Sequence, residues 1–206
     1  EILYRSLNKK KVIFQGNMFV SPIFSARRAG MEVDFVDIEL DSLGMDISKL
    51  EQKVFNDGIV CVMHTGGLVS NKMADLKKLT NKYNSYLVED CAQSFGSTDT
   101  SAHCGTFGDF ATFSFASTKI FTSVSGGAVV HNDPQIHDLI IGYTNCGKRV
   151  PFGEQTCDIE GFSARLTEIQ SAILCGLDMD WRMKVRGKCS EIYFNELFNL
   201  EGEYFR

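Results

Sequence analysis

The stretch GIVCVMH, residues 58–64, is a continuous apolar run without polar alternation. Runs of this kind are typical of strands that are buried on both faces inside a parallel sheet. The stretch therefore predicts a central strand, and the segments on either side of it define the rest of the fold.

Apolar runs alternate with helical patterns before and after this strand. Further strands are predicted at 11–15, 32–38, 85–90, 109–115 and 126–132. Helices are predicted at 17–30, 46–55, 71–84, 135–144 and 167–198, the last as one long helix or two. Such strand–helix–strand units predict an α/β domain with a mainly parallel, mixed sheet and helices on both faces. We expect the strands at 59–64, 86–90 and 110–115 to be buried on both sides.

Composition and charge argue against several classes of function. The chain has 206 residues, of which 44% are hydrophobic and 23% charged, enough for one large domain with its own core. A net charge of −5 argues against nucleic acid or an anionic membrane as a partner. No apolar run approaches the length of a membrane span, and the N-terminus lacks the pattern of a signal peptide.

The cysteines and the absent motifs argue against further classes of site and function. Seven cysteines are scattered along the chain without a C-x-x-C pair. His103 and Cys104 offer half of a metal site, but no spaced pair completes it, so we expect no metal. Reduced core cysteines are typical of cytosolic proteins, and we predict a cytoplasmic location. The G-x-G-x-x-G, P-loop and G-x-S-x-G patterns are absent, which leaves nicotinamide, P-loop and serine-hydrolase functions without support.

Two ionisable residues stand where an α/β sheet binds ligands, at the carboxyl ends of strands. Asp90 closes one predicted strand, and Lys119 follows another with Ser114 nearby. A pyridoxal phosphate site needs a lysine that forms an imine with the cofactor and a carboxylate that holds the pyridinium proton. From the residues alone, Asp90 as a turn or cap residue and Lys119 as a solvated charge remain open alternatives.

The motifs around these residues favour the cofactor site. The stretch VEDCAQSFG, followed by GTFGDFATFSFASTKIFTSVSGGAVVHND, resembles the DegT/DnrJ/EryC1/StrS sugar aminotransferase family. Glu-Asp-x-Ala-Gln, Gly-Asp, Ser-Phe-x-x-x-Lys and a Gly-Gly strand occur in the family's order. The resemblance covers roughly residues 10–195 and implies the large domain of a pyridoxal phosphate transferase.

The resemblance implies a role for each matching residue. Lys119 matches the imine-forming lysine, and Asp90 matches the partner of the pyridine nitrogen. Gln93 matches the amide near the phenolic oxygen of the ring, the alternative being a glutamine on a helix surface. Ser114 matches a phosphate-binding hydroxyl, the alternative being a strand serine that faces solvent.

Four further positions are carried over with less direct roles. Phe19 lies where the family places an aromatic ring on the cofactor face, the alternative being core packing. Ser163 stands in GFSARLTEIQ where the family usually has an asparagine that reaches the phosphate of the partner subunit. His64 and Gly67 match a His-x-x-Gly turn that gives structural support.

The implied activity is transamination. The family's dehydratase branch has histidine where this chain has Lys119. The resemblance therefore implies that an amino group passes from an amino acid, with glutamate as the expected donor, to a keto nucleotide-sugar for polysaccharide biosynthesis. It also implies a homodimer, with the active site between subunits and the loop at 150–165 crossing over.

Two departures from the family pattern define the expected domains. Residues 1–180 are predicted as a cofactor-binding large domain whose Gly-Thr phosphate loop is expected before Glu1. Residues 181–206 are predicted as a long helix that leads to a small domain outside this chain. The alternative function is a truncated or non-catalytic relative that keeps the fold with weak or no cofactor binding. A lyase or desulfurase of the same fold is a third possibility, which the Ser-Phe-x-x-x-Lys spacing disfavours.

Overall fold

Six strands form one mixed sheet in a computed structural model that describes residues 1–99, 102–149 and 157–198. The strands are β1 (Lys11–Gln15), β2 (Glu32–Val36), β3 (Ile59–Met63), β4 (Tyr86–Asp90), β5 (Phe110–Ser114) and β6 (Gly127–His131). Their order across the sheet is β2-β1-β3-β4-β5-β6. The first five are parallel, and β6 pairs with β5 in the antiparallel sense. The predicted mixed, mainly parallel sheet is confirmed.

Seven helices accompany the described strands. They are α1 (Ile2–Leu7), α2 (Val20–Arg28), α3 (Ile47–Glu51), α4 (Met73–Lys82), α5 (Pro134–Thr144), α6 (Glu168–Cys175) and α7 (Met179–Phe198). The sequence pattern predicts all but α1, and the segment at 167–198 forms two helices. Asp46 caps α3 by accepting hydrogen bonds from the backbone N–H groups of Ser48 and Lys49.

The two faces of the sheet bury separate apolar cores, and β3 contributes to both. Ile59, Cys61 and Met63 pack in the core beneath α1, α2 and α5. Val60 and Val62 point to the opposite side, into the core that α3 and α4 cover. Because side chains alternate across a strand, a strand between two cores needs apolar residues at every position. This explains the unbroken apolar run of residues 59–63.

The burial of β5 differs from the prediction. Its first two residues, Phe110 and Ala111, are buried, whereas the segment 112–114 is only half-buried. The expectation that 110–115 is buried on both sides is therefore wrong for the carboxyl half of the strand. That half lines an open cleft, so polar residues can stand there without a desolvation cost.

Gln15 extends the pairing of β1 and β3 beyond the backbone ladder. Its fully buried side-chain amide accepts a hydrogen bond from Met63 N at 3.0 Å and donates one to Met63 O at 3.0 Å. The side chain thus takes the place of one more backbone pair. It fixes the end of β3 from which His64 and the following turn emerge.

α7 crosses the predicted boundary between residues 180 and 181, since it begins at Met179. The division into a domain at 1–180 and a helix at 181–206 remains a prediction. Within the described ranges, no helix is both long enough and apolar enough to cross a membrane.

Candidate active site

A cleft of about 480 Å³ opens at the carboxyl edge of the parallel strands. The wall includes residues that the sequence singled out: Phe19, Asp90, Gln93, Ser114 and Lys119. Parallel strands bring their carboxyl ends to one edge, so residues distant in sequence meet there. Leu3, Tyr4 and Met63 add an apolar surface to the same wall.

Asp90 is a buried carboxylate with spare hydrogen-bonding capacity. It is 4% exposed, and its Oδ1 accepts a hydrogen bond from Ala92 N at 3.0 Å. Among the described residues, no donor occupies Oδ2. Burial raises the pKa of Asp90 above its ordinary value, while the Ala92 N–H and the charge of Lys119 offset part of that rise. A cationic or N–H group entering the cleft would therefore find an acceptor that the fold leaves unsatisfied.

Glu89, the neighbour of Asp90 on β4, faces the other side of the sheet and is fully buried. Its Oε1 accepts hydrogen bonds from Phe107 N at 2.8 Å and Gly108 N at 2.6 Å. Its Oε2 accepts from Gly105 N at 2.7 Å and from His64 Nε2 at 2.9 Å. Four donors saturate this carboxylate, which ties the loop before β5 to the end of β3.

The loop that holds Glu89 depends on a glycine. Gly105 has φ +85°, a conformation that L side chains rarely adopt, and a Cβ there would lie 2.7 Å from the ring of Phe113. This places the backbone N–H of Gly105 against the carboxylate. The sequence identifies the Glu-Asp motif but assigns Glu89 no role. The only signal is a carboxylate inside an otherwise apolar strand.

Lys119 lies in a turn that follows β5. Its backbone N–H donates to Ala116 O at 2.9 Å, and its side chain is half-buried on the cleft wall. Among the described residues its amine makes no ion pair with a carboxylate. The side chain lines the same cleft as Asp90, and its role as the imine-forming lysine stays a prediction.

Gln93 and the turn after β3 support each other. Residues 65–67 form a short 3-10 turn in which Gly66 has φ +63°. The Gly66 N–H donates to Gln93 Oε1 at 2.9 Å. Gln93 is exposed, lies in a turn rather than a helix, and faces the cleft. His64 is buried beneath this turn on the Glu89 side, consistent with structural support.

Of the remaining predicted residues, some line the cleft and one does not. Ser114 is half-buried on the cleft wall, where its Oγ accepts a long hydrogen bond of 3.4 Å from Ala116 N and keeps its proton available. Phe19 precedes α2 and is 61% exposed on the same wall, so it is not a core residue. Ser163 is exposed, pairs through its backbone with Asn145 and does not line the cleft. Its assignment to a partner subunit remains a prediction, and residues 150–156 of the predicted crossing loop lie outside the described residues.

Three buried groups are close enough to one another to hold a metal ion: His64, Glu89 and Cys91, whose ligand atoms lie within 4.8 Å. Both oxygens of Glu89 are already saturated by N–H donors. A metal would have to displace the His64 ring from Glu89 and leave the backbone donors in place. The described cluster is accounted for by hydrogen bonding.

Tyr4 is a cleft residue that the sequence pattern misses, because it belongs to α1. Its hydroxyl donates to Cys61 Sγ at 3.5 Å, and burial raises its pKa well above the ordinary value. It therefore stays neutral and contributes an apolar ring to the cleft wall.

The fold and this edge of the sheet define a class, the large domain of aminotransferases. PseC of Helicobacter pylori, an aminotransferase involved in the biosynthesis of pseudoaminic acid, superposes with a TM-score of 0.76 and 25% identity. The match covers 84% of this chain and 48% of that chain. The particular family follows from the sequence: the chain belongs to the DegT/DnrJ/EryC1/StrS aminotransferase family, whose model matches residues 3–205.

Two curated relatives carry the same name. GDP-perosamine synthase of Escherichia coli O157:H7 is 33% identical over 165 residues, which are 79% of this chain and 44% of the relative. GDP-perosamine synthase of Vibrio cholerae is 30% identical over 194 residues, covering 92% of this chain and 52% of the relative. The chain thus spans about half the length of the curated relatives it matches.

Proposed function

We propose that this chain carries the cofactor-binding part of a pyridoxal-phosphate-dependent aminotransferase that moves an amino group from an amino acid to a keto nucleotide-sugar. The observation that carries the proposal is the cleft shared by Asp90 and Lys119, which reach it from β4 and from the turn after β5. Membership of the aminotransferase family and the GDP-sugar relatives support the same substrate class.

The described residues fit pyridoxal phosphate. The cleft combines an apolar wall with a buried carboxylate whose Oδ2 lacks a donor, which suits a flat ring with a protonated nitrogen. In this proposal Lys119 would bond covalently to the cofactor, Phe19 would cover the ring, and Ser114 would donate a hydrogen bond to the phosphate. Gln93 would donate its side-chain NH₂ to the phenolic oxygen of the ring.

When bound, the cofactor would supply an electron-withdrawing ring that can take up an amino group and release it again. The carboxylate of Asp90 would hold a proton on the ring nitrogen. Because Asp90 is buried, the attraction between its charge and that proton would be stronger than in water. The Lys119 amine, once released, would move the proton to and from the α-carbon of the donor. The apolar wall would limit the access of water to these atoms.

The finer parts of the proposal rest on the resemblance. The donor is an amino acid, with glutamate as our first candidate, and the product would enter polysaccharide biosynthesis. Ser163 would serve the partner subunit's phosphate. Residues 1–180 would form the large domain, and residues 181–206 the helix toward a small domain. A cytoplasmic location is part of the proposal, supported by seven cysteines that are all free thiols.

A homodimer is also proposed. Several large apolar side chains are exposed on α7, among them Trp181 at 60%, Ile192 at 61% and Tyr193 at 70%. Exposed large apolar side chains on one helix are typical of elements that pack against another element or chain. Light scattering should give twice the mass of one chain, and a monomer at micromolar concentration would contradict the dimer.

The function is tested by adding pyridoxal phosphate to the purified protein and then an amino donor. We expect a yellow complex that L-glutamate bleaches, together with formation of the keto acid. The variant Lys119→Ala should lose the bleaching, while Lys78→Ala, at an exposed position on α4, should keep it. A protein that stays colourless would support the non-catalytic relative instead.

A further inference from the structure

A second chamber of about 270 Å³ adjoins the cleft. Lys119 lines both spaces, so the chamber opens beside the reacting amine. Its other walls are the glycine turn after β3 and the α7 helix. The residues that both spaces share are Ala92, Gln93, Ser114, Thr118 and Lys119.

Contacts from one turn of α7 hold the outer wall of the chamber in place. Arg182 Nη1 donates to Ile120 O at 3.2 Å. Met183 packs on Gly96, where a Cβ would lie 3.2 Å from Met183 Cε. Arg186 follows four residues after Arg182 on the same face of the helix and lines the chamber. The contacts of Arg182 and Met183 fix the helix turn that carries Arg186, whose own side chain is exposed at the rim of the chamber.

The charges that line the chamber are all positive. Lys119 and Arg186 are its charged wall residues, and no carboxylate belongs to its described lining. Asp90 lines the adjoining cleft but not the chamber. Within the described ranges Arg186 pairs with no carboxylate of the chain. In a protein with a net charge of −5, an unpaired cationic lining marks a local preference for an anion.

We propose that Arg186 binds a carboxylate of the amino donor in this chamber, beside Lys119. The inference rests on the proposed function and names the donor-binding residue of the same site. A planar guanidinium pairs with a carboxylate through two parallel hydrogen bonds, which orients as well as holds the ligand. The chamber, at about 270 Å³, suits a ligand as small as an amino acid.

The test compares Arg186→Gln with Lys184→Gln, which removes one positive charge from the same helix at an exposed position outside the chamber lining. Both proteins are loaded with pyridoxal phosphate, and the donor and acceptor half-reactions are followed separately. We expect Arg186→Gln to raise the half-saturating concentration of L-glutamate about tenfold, with the keto-sugar half-reaction changed less than about twofold. Lys184→Gln should leave both unchanged.

A second readout does not depend on turnover. Glutarate, which has two carboxylates and no amine, is titrated into each protein by calorimetry. Its dissociation constant should rise about tenfold in Arg186→Gln, and Arg186→Lys should recover part of the affinity, because a point charge replaces the planar fork. This arm separates the inference from the proposed function, since it can succeed in a protein that does not transaminate.

Equal effects of Arg186→Gln and Lys184→Gln on glutamate and glutarate would overturn the inference while leaving the aminotransferase proposal in place. A selective effect on the keto-sugar half-reaction would also overturn it, since the chamber would then serve the sugar-borne phosphates. Absence of glutarate binding by the unsubstituted protein would count against it in the same way.

Discussion

Glu89 and Asp90 are adjacent carboxylates on β4, yet the two faces of the strand give them opposite surroundings. Glu89 accepts four hydrogen bonds from the loop at 105–108 and from His64, and it has no capacity left. Asp90 accepts one, from Ala92 N, and its pKa is raised by burial at the wall of the cleft. A carboxylate that the fold saturates holds structure together, whereas one that the fold leaves short of donors is available to a ligand.

Neutralising Asp90 should have the largest effect on activity. Asp90→Asn keeps the shape of the side chain but removes the charge that would hold the ring proton. We expect transamination to fall on the order of a hundredfold to a thousandfold, with the far-ultraviolet circular dichroism unchanged. Near-normal turnover of this variant would show that Asp90 is not the partner of the cofactor.

Neutralising Glu89 should instead lower the stability of the fold. Glu89→Gln offers an NH₂ group to N–H donors on one side, so buried donors lose their acceptor. We expect the free energy of unfolding to fall by about 2–4 kcal/mol, measured by urea denaturation. Glu51→Gln is the control, since Glu51 forms an exposed ion pair with Lys82 and should cost less than about 1 kcal/mol. Equal losses in the two variants would contradict a structural role for Glu89.

Gln93 combines the two roles, because it accepts a hydrogen bond from the turn after β3 and also lines the cleft. Gln93→Ala removes the acceptor for Gly66 N and one wall of the cleft, so turnover should fall about tenfold and stability by roughly 1 kcal/mol. Gln93→Glu keeps an oxygen for Gly66 N but loses the NH₂ donor. It should therefore recover the stability without the turnover. Recovery of both would reduce Gln93 to a support for the turn.

The smallest expected effect is a pH dependence specific to Asp90. Its folded pKa lies above the unfolded value near 3.8, so the folded state binds the proton more tightly. The stability contribution of this group is greatest at low pH and falls as the pH rises from the unfolded pKa through the raised folded one. Asp90→Asn should therefore be more stable than the unsubstituted protein at neutral pH.

Acidification should reduce the advantage of the Asp90→Asn variant. The stability difference between Asp90→Asn and the unsubstituted protein should shrink as the pH falls through that window. Denaturation curves of both proteins at matched pH values cancel the titration of all other groups. A difference that stays constant or widens in acid would contradict a raised pKa for Asp90.

Much of the fold is predictable because its signals are local. A strand between two cores is apolar at every position, as in β3, and Asp46 marks the start of α3 with its own side chain. The pattern does not predict α1, a six-residue helix too short for a clear period, whose residues Leu3 and Tyr4 are fixed by packing under the sheet. The pattern also does not predict the half-burial of residues 112–114 on β5, since it depends on the open cleft beside them.

The residues of the site also differ in how far the sequence indicates them. The order of the motifs singles out Asp90, Gln93, Ser114 and Lys119, and the parallel topology explains why they line one cleft, while their chemical roles stay predictions. Arg186 does not follow, because its place beside Lys119 depends on how α7 packs on distant loops.

Covalent labelling shows directly whether the cofactor binds on the Asp90 face of β4 and bonds to Lys119. The protein is incubated with pyridoxal phosphate, reduced with borohydride, digested and mapped by mass spectrometry. We expect one dominant pyridoxyl label, on Lys119, that is retained in Glu51→Gln and lost in Lys119→Ala. A dominant label on any other lysine, or an unlabelled Lys119 in a folded protein, would contradict it.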